Sequence, residues 1–433
     1  MLTIVSFILY YSLEPTFAVA LALLILANYY FGLGLEHCTR RRLLFGLSLG
    51  LNFGLLGTLK YAAFFRDNLQ MLLSFTSFQL PEVPVWLPVG ISFFIFQIQS
   101  YIFDVYYRVI PAETSLLRFS LFVSFFPQLV AGPIVKARHF LPQLLKRTHV
   151  TWEDVHMGIW NISTGLVLKV VVADNLAHYT LALKEPMVDV RHSLNLVVLS
   201  WAFMVQVFGD FAGYTSIAIG LARICGYQLP INFNAPFLAL GFNDFWKRWH
   251  ISLTHWFKDY VFLRLAMGSV WKGKMYRCLV LTFLASGLWH GATWTYVIWG
   301  GLHGLGCVID SVFSRAQGPH FKWRWWQALA MWGITFQSVC FLGIFFYHQK
   351  CASAFHYFQQ LFGPGWQQPL ILPVMADVIF FMLPVLILHL VALSKTAQQW
   401  ISLPWIRSLC IGLNLVLLCG LWAEQRGFIY FAF

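Results

Sequence analysis

Charge is what this sequence lacks. Only 11% of its 433 residues are Asp, Glu, Lys or Arg, and the acids are scarcest at 17. An average soluble domain carries about a quarter charged residues. So few charges cannot clothe a water-facing surface, which excludes the two or three soluble domains that the length permits. No C-x-x-C pair occurs. The eight cysteines stand at 38, 225, 278, 307, 340, 351, 410 and 419, mostly inside apolar runs, which points to buried free thiols rather than a disulfide framework or a zinc site. Also absent are a Walker loop, a dinucleotide fingerprint, a G-x-S-x-G elbow and an H-E-x-x-H helix. The N-terminus has no basic stretch leading to a small-residue cleavage motif, so its first apolar segment is expected to stay. With no linker-like shift, low-complexity tract or fixed-period repeat, a single domain over 1–433 is expected.

What is abundant is apolar and aromatic: 59% hydrophobic residues and 18% Phe, Trp and Tyr, with a mean hydropathy of +0.68. Trp and Tyr anchor at membrane interfaces. Runs free of charge cover 15–35, 43–59, 83–103, 193–209, 278–309, 325–349, 378–394 and 408–423. Weaker ones lie near 115–131, 155–183 and 211–222. Since about 20 helical residues cross a bilayer core, the expectation is an all-α, polytopic membrane protein with about 10–12 transmembrane or re-entrant helices. The net charge of +12 forms no single patch of the kind that binds nucleic acid. Instead, 17 of the 29 basic residues cluster at 40–42, 136–147, 247–277 and 315–324. The positive-inside rule places these clusters in the cytoplasm and the C-terminus outside.

The residues with chemistry to offer are ionisable groups at membrane depth. His290 lies within the 31 uncharged residues 279–309. As one straight helix these would span ~46 Å, too long for one crossing of a ~30 Å core. The chain must therefore bend, most readily between Gly287 and Gly291, leaving the imidazole at a helix break. A buried ionisable residue there is a functional candidate, the alternative being a core histidine bonded to a carbonyl. His303, on the same run, has the weaker case. A second stretch, 243–260, alternates Trp with basic residues and reads as an amphipathic helix at the cytoplasmic interface. Its Arg248 either anchors there or holds phosphates of an anionic donor. His250 and His255 are five apart, which does not suit a helical metal pair. Asp210 reads as a structural partner to a cation or a backbone N–H.

Trp246-Lys247-Arg248-Trp249-His250 followed by Leu288-Trp289-His290-Gly291 resembles the membrane-bound O-acyltransferase family. Pro88-Val89-Gly90-Ile91-Ser92-Phe93, Gln128-Leu129-Val130-Ala131-Gly132-Pro133, Asp210-Phe211-Ala212-Gly213-Tyr214 and Phe428-Ile429-Tyr430-Phe431-Ala432-Phe433 are similar to its bacterial branch, which acetylates alginate, other polysaccharides and peptidoglycan. The D-alanyl transfer proteins of teichoic acid modification are near cousins. The chain's start departs from that pattern: Ser6-Phe7-Ile8-Leu9-Tyr10-Tyr11 looks like the family's second segment.

The resemblance implies a ring of helices around a central tunnel, in a multi-pass protein of the bacterial inner membrane. It makes His290 and His250 catalytic, and the C-terminal Tyr430 an acyl carrier. Trp246, Trp289 and Arg248 would meet the substrate, with His303 a possible second histidine. It implies no bound cofactor and no metal, acetyl-CoA as the acyl donor, and a periplasmic transferase as partner. Neutral imidazole suits a base for acyl transfer at pH 7, and indole N–H groups or His250 suit an oxyanion. Two other readings stay open: a D-alanyl transfer subunit fed by a carrier protein, and a proton-coupled transporter in which His290 and Asp210 relay protons.

Overall fold

The structure is a computed structural model that describes residues 1–83, 88–146, 149–184, 192–270, 273–318 and 323–422. Every regular element among them is helical. Among the described residues, seven helices are long and apolar enough to cross a membrane, and an eighth counts if the bent pair Lys395–Ser402 and Pro404–Gly420 is one span. The remaining helices are shorter, so several apolar runs of the sequence form short or broken elements. By internal contacts the chain groups into two compact units, one of Met1–Thr151 with Leu221–Pro230, the other of Trp152–Gly220 with Ile231–Phe433.

The first unit contains α1 (Leu2–Leu13), α2 (Pro15–His37), α3 (Arg41–Leu56) and α4 (Ile91–Tyr106). Hydrocarbon drives lipid-bathed helices apart no more than together, so polar contacts hold them. Asn28 and Asn52 exchange side-chain hydrogen bonds across α2 and α3 at 3.0 and 2.8 Å, and Ser48 donates to Asn28 at 3.1 Å. Arg41 caps two helix ends, with Nε donating to the Leu35 carbonyl and Nη2 to those of Val105 and Tyr106.

The second unit contains α5 (Trp152–Leu166, continued by a π turn through Ala173), α6 (Ser193–Ile224, of which the residues up to Gly220 group with this unit), α7 (Phe242–Arg248), α8 (Ile251–Phe257), α9 (Met275–His290), α10 (Trp294–Gln317), α11 (Trp325–Tyr347), α12 (Cys351–Phe362) and α13 (Leu372–Leu393). The runs 193–209 and 211–222, separate in the sequence reading, form one 32-residue helix through Asp210. Lys169 explains why that carboxylate is tolerated, since its Nζ lies 2.7 Å from both Asp210 and Asp174. The close approach has a cause in glycine: a Cβ on Gly213 would lie 2.7 Å from the Gly165 carbonyl oxygen. Asp210 is thus a structural ion-pair partner. All eight cysteines are free thiols, with Cys278, Cys307 and Cys340 buried.

The long run 279–309 turns as its length requires. α9 ends at His290, and α10 begins at Trp294 and packs against it. Side chains are missing where the two backbones touch. A Cβ on Gly287 would meet the Tyr296 carbonyl oxygen at 2.2 Å, and one on Gly300 the Phe283 carbonyl oxygen at 2.3 Å.

Candidate active site

The stretch 243–260 is not one interfacial helix. It breaks at Trp249–His250 into α7 and α8, and Trp246, Trp249 and Trp256 are buried. These indoles pack inward because the second unit's aromatic core surrounds them: Phe245 stacks on Trp249 at 5.4 Å and Phe283 meets Trp246 at 5.2 Å. His250 caps α8 in the left-handed region, with φ +44°. That conformation is costly for a non-glycine residue and marks a constrained site.

Asn232 holds His250 in place and fixes its tautomer. Its Oδ1 accepts from the Ser252 backbone N–H at 3.1 Å and from the Ser252 hydroxyl at 2.9 Å. The same oxygen lies 3.2 Å from His250 Nδ1. An atom that accepts from a backbone N–H is an acceptor, so Nδ1 donates and the lone pair of the neutral ring sits on Nε2. Burial, complete at 0% exposure, pushes the imidazole down to about 3, because a charged ring there would lose its hydration. At neutral pH the His250 ring is therefore uncharged and its Nε2 is a hydrogen-bond acceptor, not a donor.

His290 reaches the same place from the end of α9. The two imidazole centroids lie 6.4 Å apart. Trp289 stands between them in sequence and space, 5.9 Å from His250 and 4.9 Å from His290. Trp299 and Phe346 close the other side of His290 at 5.0 and 5.2 Å. His303, one turn along α10, joins the box through Trp299 at 4.8 Å and Trp246 at 5.2 Å. A cavity of about 20 Å³ touches both His290 and His303, room for about one water. Trp246 Nε1 and His303 Nδ1 are buried without a hydrogen-bond partner among the described residues.

A larger cavity, of about 590 Å³, opens on the basic side of this box. Lys247, His255 and Lys258 line it together with Trp246, Thr282 and Ser286. Arg248 does not line it; its Nε donates to Asp244 at 2.8 Å. Tyr430 lies outside the described residues. The structure therefore gathers His250, His290, His303, Trp246 and Trp289 and turns Arg248 to a neighbouring carboxylate. Residues that the sequence reading passed over are Asn232, Trp299 and Phe346. Also unforeseen is His389 on α13, whose Nε2 accepts from the Phe237 N–H at 3.3 Å beneath Trp249. Among the described residues no three His, Cys, Asp or Glu side chains converge on one point.

Buried imidazoles with a lone pair, indole donors and a basic antechamber are equipment for moving an acyl group under water exclusion. Comparison with known proteins agrees. Residues 59–348 match the family model described as MBOAT, membrane-bound O-acyltransferase. The chain is 35% identical over 348 residues to a probable alginate O-acetylase of Pseudomonas putida, covering 77% of this chain and 70% of that one. It is 34% identical over 353 residues to a peptidoglycan O-acetyltransferase of Helicobacter pylori, covering 75% and 65%. A teichoic acid D-alanyltransferase of Bacillus subtilis is 32% identical over 266 residues, covering 58% and 67%.

Proposed function

The chain belongs to the membrane-bound O-acyltransferase family and is a multi-pass enzyme of that class, and from that premise we propose that it carries acetyl from cytoplasmic acetyl-CoA across a bacterial inner membrane. The acetyl group serves O-acetylation of an extracytoplasmic polysaccharide or peptidoglycan, completed by a periplasmic transferase. The observation behind this reading is the meeting of His250 and His290 in one buried aromatic box, 6.4 Å apart. The antechamber lined by Lys247 and Lys258 would take the phosphates of CoA, and a tunnel through the helices would lead outward from the histidines.

In this scheme neutral His290 takes the proton of the attacking hydroxyl while its oxygen adds to the thioester carbonyl. A C–O bond forms, the C–S bond breaks, and the proton leaves on the CoA thiol. The Trp246 indole N–H, which has no partner among the described residues, supplies an oxyanion donor. His250, fixed by Asn232 as an acceptor at Nε2, assists the proton's movement. The attacking hydroxyl is that of Tyr430, in the terminal segment of the single catalytic domain. A phenolate (pKa about 10) leaves more readily than a sugar alkoxide, so the carried acetyl remains activated.

Identity to a teichoic acid D-alanyltransferase supports a second reading, D-alanyl transfer from a carrier protein. Comparing binding of acetyl-CoA with that of an acylated carrier protein separates the two. The ion pair of Asp210 with Lys169 favours a structural carboxylate over a proton-coupled transporter. The test of the scheme is acetyl transfer from labelled acetyl-CoA by vesicles holding wild type, His290→Gln or His303→Ala. Losing the base lowers the rate by about 10²–10⁴-fold in His290→Gln, while His303→Ala keeps measurable transfer. Equal, full activity of both variants removes His290 from the mechanism.

A further inference from the structure

A second cavity in the same unit, of about 300 Å³, shares no residue with the histidine box or its antechamber. That volume is at the lower end for small-molecule sites. It forms where two long helical runs end. Lys184 follows the turn Leu181–Leu183, His348 follows α11, and α12 contributes Ser353, His356, Tyr357 and Gln360. His348 is 7% exposed, and its Nε2 is buried without a hydrogen-bond partner among the described residues. A buried polar atom left unsatisfied is costly, a cost that a ligand hydroxyl or carboxylate would recover. Burial, then the charge of Lys184, pushes this imidazole down to about 4, so at neutral pH it is an uncharged hydrogen-bonding group beside a fixed cation. Tyr357 is held as a wall by donating to the Leu196 carbonyl at 2.9 Å, and Leu183 and Leu196 give an apolar floor.

Within this unit, two helices lead from this cavity toward the basic clusters 247–277 and 315–324. α11 starts beside cluster 315–324 and has 23 residues, ~34 Å of helix against a ~30 Å core. It ends next to His348. α6, with 32 residues, leads from the Lys184 end back toward the basic stretch 247–277. With those clusters cytoplasmic, both ends point outward.

One exposed cation, several neutral polar groups and an aromatic wall over an apolar floor match a ligand with one anionic group, hydroxyls and an apolar face. We propose that this cavity binds a single carboxylate-bearing sugar residue of the extracytoplasmic polymer, holding the acceptor chain at the outer face. The assignment rests on the orientation proposed above, but its binding chemistry is measured independently of acyl transfer.

The experiment is calorimetric titration of the full chain in phosphatidylcholine nanodiscs with glucuronate, glucose and inorganic phosphate. Glucuronate is expected to bind at least about tenfold tighter than either of the others, about 1.4 kcal/mol, through a charge-assisted hydrogen bond. Lys184→Gln raises its Kd about tenfold and Lys184→Arg restores it. Gln360→Ala, a second change at the cavity rim, also weakens it, and acetyl-CoA binding is unchanged in all three. Phosphate binding as tightly as glucuronate, whether free or as a lipid headgroup mimic, reduces the cavity to a bare anion site and overturns the proposal. So does glucose binding equally well, or an unaltered Kd in Lys184→Gln. Failure of acetyl-CoA binding with glucuronate binding intact sinks the acetyl-transfer reading alone.

Discussion

Gly287→Ala tests whether helix packing sets the catalytic geometry. The added Cβ would sit 2.2 Å from the Tyr296 carbonyl oxygen, and ordinary contact starts at 3.4 Å, so the backbones must part by the difference, 1.2 Å. No rotamer relieves it, because the obstructing atoms are main chain. The last turn of α9, three residues on, carries His290. Misplacing a catalytic group by ~1 Å costs about 10²-fold in rate, or about 2.7 kcal/mol at 1.36 kcal/mol per tenfold. Overpacking adds about 1–3 kcal/mol of destabilisation. The assay is initial acetyl transfer at saturating acetyl-CoA, alongside a melting curve in detergent. Gly333→Ala is the control: nothing lies within 4 Å of its Cβ, and a helical Ala in place of Gly stabilises by about 0.5–1 kcal/mol. Transfer at the wild-type rate by folded Gly287→Ala would refute the reasoning.

His250→Asn should melt higher than His250→Ala, since Asn tolerates the left-handed conformation, and both should lose transfer rate more than donor affinity. The folded His250 ring titrates near 3 and the unfolded one near 6.5. The unfolded chain therefore binds the extra proton between those values, and stability falls as pH drops from about 6.5 toward 3. His250→Asn should flatten that part of a melting-temperature profile. Lys258→Ala should weaken acetyl-CoA binding more than Arg248→Ala, because Lys258 lines the antechamber and Arg248 is paired with Asp244; equal losses at low and high salt would point to anchoring instead. Tyr430→Phe keeps the ring and removes the nucleophile, so acetylation of the polymer should vanish with acetyl-CoA binding preserved. Wild-type acetylation by mass spectrometry of the esters would defeat the relay.

How much of this was legible depended on whether the partner was near in sequence. The turn after His290 followed from length alone, because 31 uncharged residues do not fit one crossing. The break at His250 left no such mark: no Gly or Pro stands at 249–251, and the left-handed residue is held by Asn232, on another segment. Alternating Trp and basic residues suit an interface and a buried box equally well, so only the surrounding Phe245, Phe283 and Trp299 reveal which way Trp246 faces. Asp210 divides two uncharged runs in the sequence, where its cation is invisible because Lys169 belongs to a different helix.

The cavity beside His290 and His303 has a consequence for economy in the cell. At about 20 Å³ it holds about one water, so under the proposed scheme the aromatic walls would have to yield to admit an acetyl group. A chamber that widens only around its cargo offers an activated ester almost no bulk water, and acetyl groups withdrawn from metabolism would reach the polymer instead of escaping as free acetate.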